Sequence, residues 1–276
     1  MKNVCYVLLI GLFSIPAFAQ EVQMPIIKPE VQEAQMMFQR MVWRRMDLRE
    51  KQNRPFFSRN AEVPRLILQA VEEGLIKPYR TDSCINLMPD SIFKSNTTVE
   101  VQGGGFDSGG FGGGFGGGFG NETSSSQPSG PQYDKIPKDV FNVMYMREEL
   151  IFDRNRSRMY WYIRSLTIVL PGSAGSTWNP AGFEKPVAHF KYDDIMDLFR
   201  GPYADKAIWY NNQNQAAHRN IGDAFELRLF SAPITKVSNA DNLDIRQIES
   251  DPFKQVMMQQ ELEYELMEYE SELWEY

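Results

Sequence analysis

DVFNVMYMREELIFDRNRSRMYWYIRSLTIVLP, residues Asp139–Pro171, is the stretch on which the fold turns. It is dense in apolar and aromatic residues and splits into two runs. Val143–Phe152 favours a strand although Arg147, Glu148 and Glu149 sit in its middle. Asp153–Ser157 is a polar break of turn-forming residues, and Arg158–Leu170 is a long second run. By alternation, Met159, Trp161, Ile163, Ser165, Thr167 and Val169 share one face, and Tyr160, Tyr162, Arg164, Leu166, Ile168 and Leu170 the other. Two strands so joined predict an antiparallel hairpin over 143–170, covered on both faces toward its end and stopped by Pro171-Gly172.

The flanking segments set the organisation. Lys2, the apolar run Val4–Phe13, a break at Ser14-Ile15-Pro16 and Ala17-Phe18-Ala19 read as a secretory signal peptide over 1–19, cleaved after Ala19. The apolar run is too short to span a bilayer core of about 30 Å. Cys5 belongs to that leader, so Cys84 alone cannot close an intramolecular bridge and is expected to be a buried thiol. The net charge is −7, unevenly distributed. Residues 251–276 hold eight acids and one Lys, whereas 40–65 hold eight basic residues against three acids, an asymmetry that bears on contacts.

From Glu30 to Lys51 the pairs Met37/Phe38, Met41/Val42 and Arg45/Met46 recur at helical spacing, predicting a helix that is either solvated and basic or a partner face. Pro64–Gly74 is a second helix, closed by Gly74. Residues 30–93 therefore read as a helical N-terminal part. Residues 94–136 read as a disordered linker: twelve glycines lie between Gly103 and Gly120 with Phe106, Phe111, Phe115 and Phe119 among them, followed by a Ser/Pro/Gln tract. No Lys-Ser/Thr step and helix start follow, so this is no phosphate loop. Within the sheet-forming body, 137–250, a strand is expected over Pro186–Lys191, helices over Tyr192–Arg200 and Gly222–Phe230, and a short amphipathic piece over Ala204–Tyr210. Residues 251–276 form an acidic tail in which Met258, Leu262, Leu266, Tyr269, Leu273 and Tyr276 make one apolar stripe on a helix. Seven glutamates between Glu261 and Glu275 repel one another, so the tail is either a solvated acidic segment or a helix that folds on a basic surface, Arg40–Arg65 of this chain or of a neighbour. The fold class is α+β: a helical N-terminal part, a small antiparallel sheet with packed helices, a Gly-rich linker and an acidic C-terminal helix.

Four phrases carry a resemblance. They are Glu148-Glu149 with Phe152-Asp153 and Arg158–Pro171; Trp43-Arg44-Arg45-Met46-Asp47-Leu48-Arg49-Glu50-Lys51-Gln52-Asn53; Gly74–Tyr79; and Asp223–Asn239. Together they are similar to the gliding-motility protein N family (GldN, PorN in non-gliding relatives), whose phrase W-R-x-I-D-x-R-E-K-x-N is met here with Met46 in place of Ile. Pro78 and Ala232 are further departures. The likeness covers Trp43–Ile248 outside the linker, and the acidic tail is expected to lie beyond the family's core. It implies a periplasmic, non-enzymatic scaffold of the type IX secretion system, at the inner face of the outer membrane. Its partners would be an outer-membrane lipoprotein of the GldK/PorK family, further copies of itself in a ring, and the inner-membrane motor proteins, with no nucleic acid. Interface candidates are Arg147, Glu148, Trp161, Arg164, Arg228, Leu262, Leu266, Tyr269 and Leu273.

The alternative is a periplasmic peptidoglycan-modifying enzyme. Adjacent acids such as Glu148-Glu149 point to opposite faces of a strand and cannot share one glycosidic bond, although Glu148 with Asp194 could converge. His189 and His218 lack the spacing of a metal motif, and no metal or other cofactor is expected.

Overall fold

A computed structural model of the chain describes residues 29–101 and 132–274. The leader at 1–19 and the glycine tract fall outside the described residues. The body is α+β, built on a five-stranded antiparallel sheet. Its strands are β1 (Met36–Asp47), β2 (Val143–Asp153), β3 (Arg158–Leu170), β4 (Lys185–Lys191) and β5 (Ile234–Val237), in the spatial order β5-β1-β2-β3-β4. Among the described residues six helices accompany it: α1 (Val63–Glu72), α2 (Asp90–Thr97), α3 (Tyr192–Arg200), α4 (Ile221–Glu226), α5 (Ile245–Ile248) and α6 (Pro252–Trp274).

The expected hairpin is β2–β3, with Asp153 opposite Arg158 and Val143 opposite Val169. The turn is tied by the Asp153 carboxylate, which accepts from the Asn155 amide (2.9 Å) and pairs with Arg156 (2.8 Å). Burial pushes that carboxyl up, but these donors outweigh it and hold its pKa below the usual carboxylate range. One detail of the faces differs from simple alternation. Arg147 faces Ser165 while the next residue, Glu148, faces Ile163, so Arg164 is an extra residue in β3. A bulge of this kind inverts the alternation beyond it. Trp161 and Ile163 therefore share a face with Leu166 and Ile168, and Ser165, Thr167 and Val169 turn to the other. Both faces are covered toward the end, since Ser165–Leu170 are all buried.

The largest correction is at 30–51. Apart from a single 3-10 turn at Glu33–Gln35, the expected helix is replaced by the twelve-residue strand β1, paired on one edge with β2 and on the other with β5. Val42, Arg44 and Met46 are buried and alternate with half-exposed Met41, Trp43 and Arg45, which is period two. The adjacent apolar pairs satisfied a helical period equally well, and only the long-range pairing separates the two readings. The N-terminal part is thus not helical as a whole: it supplies a strand inside the sheet. The linker expectation is corrected at its ends, where α2 runs to Thr97 and Thr98–Val101 pairs with Gln132–Lys135. The 222–230 helix is shorter than expected and ends at Glu226, and 204–210 is a turn followed by the two-residue strand Ile208–Trp209. The expected helices at 64–74 and 192–200 are present as α1 and α3. Gly74 closes α1 at φ +75, a conformation that costs glycine little, while Leu75 N–H reaches the Ala70 carbonyl at 2.8 Å.

One face of the sheet carries two apolar clusters, the first closed by α1, α3 and α4 and the second by α6. At the end formed by Met46, Met144, Met146, Leu166 and Ile168 it packs with Leu66 and Ile67 of α1, Ile195 and Phe199 of α3 and Phe225 of α4. At the other end Val42, Leu150, Ile234 and Val237 form a second apolar cluster with Leu266 of α6. The opposite face carries Trp43, Tyr145, Tyr160 and Tyr162, all half-exposed.

Candidate functional site

Between the two apolar clusters lies a charged seam. Glu148 faces the covered side of β2 and is fully buried. Arg44 of β1 donates from Nε to its Oε2 at 2.9 Å, and Arg228 reaches Oε1 at 2.6 Å and Oε2 at 3.2 Å. Arg228 occupies the residue after the last turn of α4 with φ +53, a left-handed position that glycine takes more cheaply. The guanidinium compensates, because it alone closes the second half of the fork on Glu148. Both guanidinium carbons lie 5.0 Å from the Trp161 ring centroid, within cation–π range. Arg44 also donates to the Ala232 carbonyl (2.8 Å) and to Glu263 of α6 (2.9 Å). Two cations and two carboxylates thus neutralise one another where the sheet passes from its first set of helices to α6.

α6 lies on the basic segment of its own chain. Leu262 and Leu266 join the second cluster, the Tyr269 ring stands 4.6 Å from that of Phe38, and Leu273 is half-buried. Arg40 pairs with Glu265 at 3.4 Å beside the Arg44–Glu263 pair. These contacts offset the repulsion among the glutamates, and they are made within one chain.

The other face of the sheet is polar and aromatic. Trp43 Nε1 donates to Asp82 at 2.7 Å, and the Lys236 ammonium sits 4.8 Å from a Trp43 ring centroid. Glu184 receives Arg45 (2.6 Å), Arg246 (3.3 Å) and the Tyr145 hydroxyl. Burial pushes the Glu184 carboxyl up, but the Arg45 and Tyr145 hydrogen bonds prevail and its pKa is lowered; burial and Glu184 push the Tyr145 phenol up to about 12. A cleft of about 310 Å³ opens here, lined in part by Trp43, Tyr145, Thr167, His189, Lys236 and Arg246. His189 Nδ1 is 2.7 Å from the Thr167 hydroxyl, and burial lowers its pKa, which keeps the ring neutral near pH 7. Arg164, placed by its bulge, and Gln39 both meet Glu149.

The structure therefore brings Glu148, Trp161, Arg228, Leu262, Leu266, Tyr269 and Leu273 to the covered side, where the first six make contacts within the chain. Arg147 and Arg164 lie on the other face. Sequence reasoning missed Arg44, the hub of the seam, and Trp43, Lys236 and Glu184. Arg44 sits in the Trp43–Asn53 phrase, but a helical reading gives it no defined face. Glu148 and Glu149 point to opposite faces, and the Glu148 oxygens are both held by guanidinium groups. Asp193 and Asp194 occupy the first turn of α3, where the helix dipole favours acids. Among the described residues no three His, Cys, Asp or Glu side chains gather as a metal-binding group, and no helix is long and apolar enough to cross a membrane.

Compared with known families, residues 31–275 match the one described as "Gliding motility associated protein GldN". No curated protein matches the chain. The family match runs through α6, so the acidic tail is part of what the family shares, not an addition beyond its core.

Proposed function

The chain belongs to the GldN family, associated with gliding motility and type IX secretion, and on that premise we propose that it is a periplasmic scaffold subunit of the secretion machine. In this reading it assembles in several copies with an outer-membrane lipoprotein of the GldK/PorK family. The ring lies at the inner face of the outer membrane, supports protein export and connects to the inner-membrane motor proteins. The observation that carries the reading is the extent of the family match, which takes in every strand of the sheet and α6.

Two features of the site support it. The acids of the Glu148-Glu149 pair are both engaged: Glu148 with Arg44 and Arg228, Glu149 with Gln39 and Arg164. The half-exposed face offers Trp43, Tyr160, Tyr162 and Arg164, the aromatic and arginine side chains that protein interfaces favour.

The test is co-expression with the cognate lipoprotein, purification on a tag of this chain and electron microscopy of the high-mass fraction. A ring containing both proteins is the expected result. Arg164→Glu, on the open face, should keep the circular dichroism of the wild type and reduce entry into that fraction. A chain that stays monomeric beside its lipoprotein, or that cleaves cell-wall fragments, overturns the proposal.

A further inference from the structure

α6 has two apolar stripes, and its contacts with the sheet use one of them. Leu262, Leu266 and Tyr269 face the sheet. On the opposite side, Phe253 is 73% exposed, Val256 50%, Met257 54%, Tyr264 68% and Met267 61%. At 100° per residue these five fall within about 100° of one another, centred nearly opposite Leu262, and they run about 21 Å along the helix. An outward stripe of this kind is what a helix presents to a second partner; a helix that merely caps a sheet needs one.

The borders of the stripe say what kind of partner. Glu261, Glu268 and Glu272 run along one side and Glu270 along the other, all in the described part of α6. Glu263 and Glu265 are taken up by Arg44 and Arg40, whereas these four carboxylates have no ion-pair partner among the described residues. Two α6 helices placed face to face would set rows of glutamates against each other, and an anionic lipid surface would meet the same repulsion. Complementarity is left to an apolar ridge bordered by cations.

We infer that the outward face of α6 is a docking site for a basic amphipathic helix of another protein, with apolar residues at i, i+3, i+4 and i+7 and Lys or Arg on both borders. The inference stands apart from the secretion-ring reading, since it rests on the pattern of α6 alone.

The experiment places a photo-crosslinking residue in the full-length protein in the cells that make it, as Val256→p-benzoylphenylalanine and Tyr264→p-benzoylphenylalanine, with Leu262→p-benzoylphenylalanine as the inward control. The two outward probes should capture one and the same peptide of another protein, carrying that apolar spacing and basic borders; the inward probe should crosslink within the chain. Adding Met257→Gln and Met267→Gln keeps every charge and should cut the outward crosslinks at least tenfold while the melting temperature holds. Glu261→Gln with Glu268→Gln should weaken them as well. Crosslinks to a second copy of this chain, to lipid or to an acidic peptide, no crosslink at either outward position, or indifference to the methionine changes would overturn the inference.

Discussion

Glu148→Gln is the sharpest test of the seam. The substitution keeps size and hydrogen-bonding shape but removes the negative charge between Arg44 and Arg228. The Arg44 side chain is 11% exposed and that of Arg228 28%, so water can screen the second better than the first. Removing one partner of a buried pair typically costs about 3–5 kcal/mol, because the remaining charge stays buried without compensation. The partial exposure of Arg228, and the continued pairing of Arg44 with Glu263, place the expected cost near the lower end, about 3 kcal/mol. At about 2–4 °C per kcal/mol for a body of this size, the melting temperature should fall by about 6–12 °C. Calorimetry on the purified chain gives the number. A double-mutant cycle with Arg228→Met isolates the pair and should return a coupling of at least about 1.5 kcal/mol. Because Arg44 also holds Glu263, amide exchange in α6 should quicken in Glu148→Gln before the rest of the sheet loosens. A loss below about 1 kcal/mol, or a cycle that is additive, would refute the claim that this network organises the covered face.

Trp161→Ala removes both cation–π contacts and part of the second apolar cluster, and should cost about 3–4 kcal/mol by chemical denaturation, with α6 exchanging faster than α1. The lowered pKa of Glu184 means that its contribution to stability is fully present above the unfolded carboxylate value, about 4.3, and disappears as pH falls through the lower folded value. Glu184→Gln should therefore flatten the acid limb of the stability profile below about pH 5 and leave the relative slope near neutrality unchanged; an identical acid limb would count against the Arg45 and Tyr145 assignment. Cys84 is buried and its pKa is pushed up by burial to about 11, so at pH 8 its thiolate fraction is about two orders of magnitude below that of a free cysteine of pKa about 8.5. Native protein should react with a maleimide correspondingly slowly and unfolded protein at the ordinary rate; equal rates would place Cys84 at the surface.

How much of this was legible beforehand differs by element. The hairpin 143–170 could be read because a clear polar break separates two long runs, and α3 because Ile195, Leu198 and Phe199 satisfy only the helical period. The bulge at Arg164 could not be read, since an extra residue leaves no trace in a sequence of alternating bulky side chains. β1 was hidden for a related reason. Its adjacent apolar pairs fit both periods, and what decides for a strand is hydrogen bonding to residues about a hundred and two hundred positions away.

By itself the sequence determined the α+β class, the 143–170 hairpin, the family resemblance and an acidic C-terminal segment with one apolar stripe at helical spacing. All of these rest on local periodicity, composition and phrase order. Tertiary structure decided where the charges meet. Glu148 finds Arg44 across 104 positions and Arg228 across 80, so its burial is affordable only in the folded chain, and nothing near it in sequence announces either partner. The same holds for α6: the sequence marks one apolar stripe for burial, but only the docked helix divides its apolar residues into those the sheet covers and those it leaves exposed.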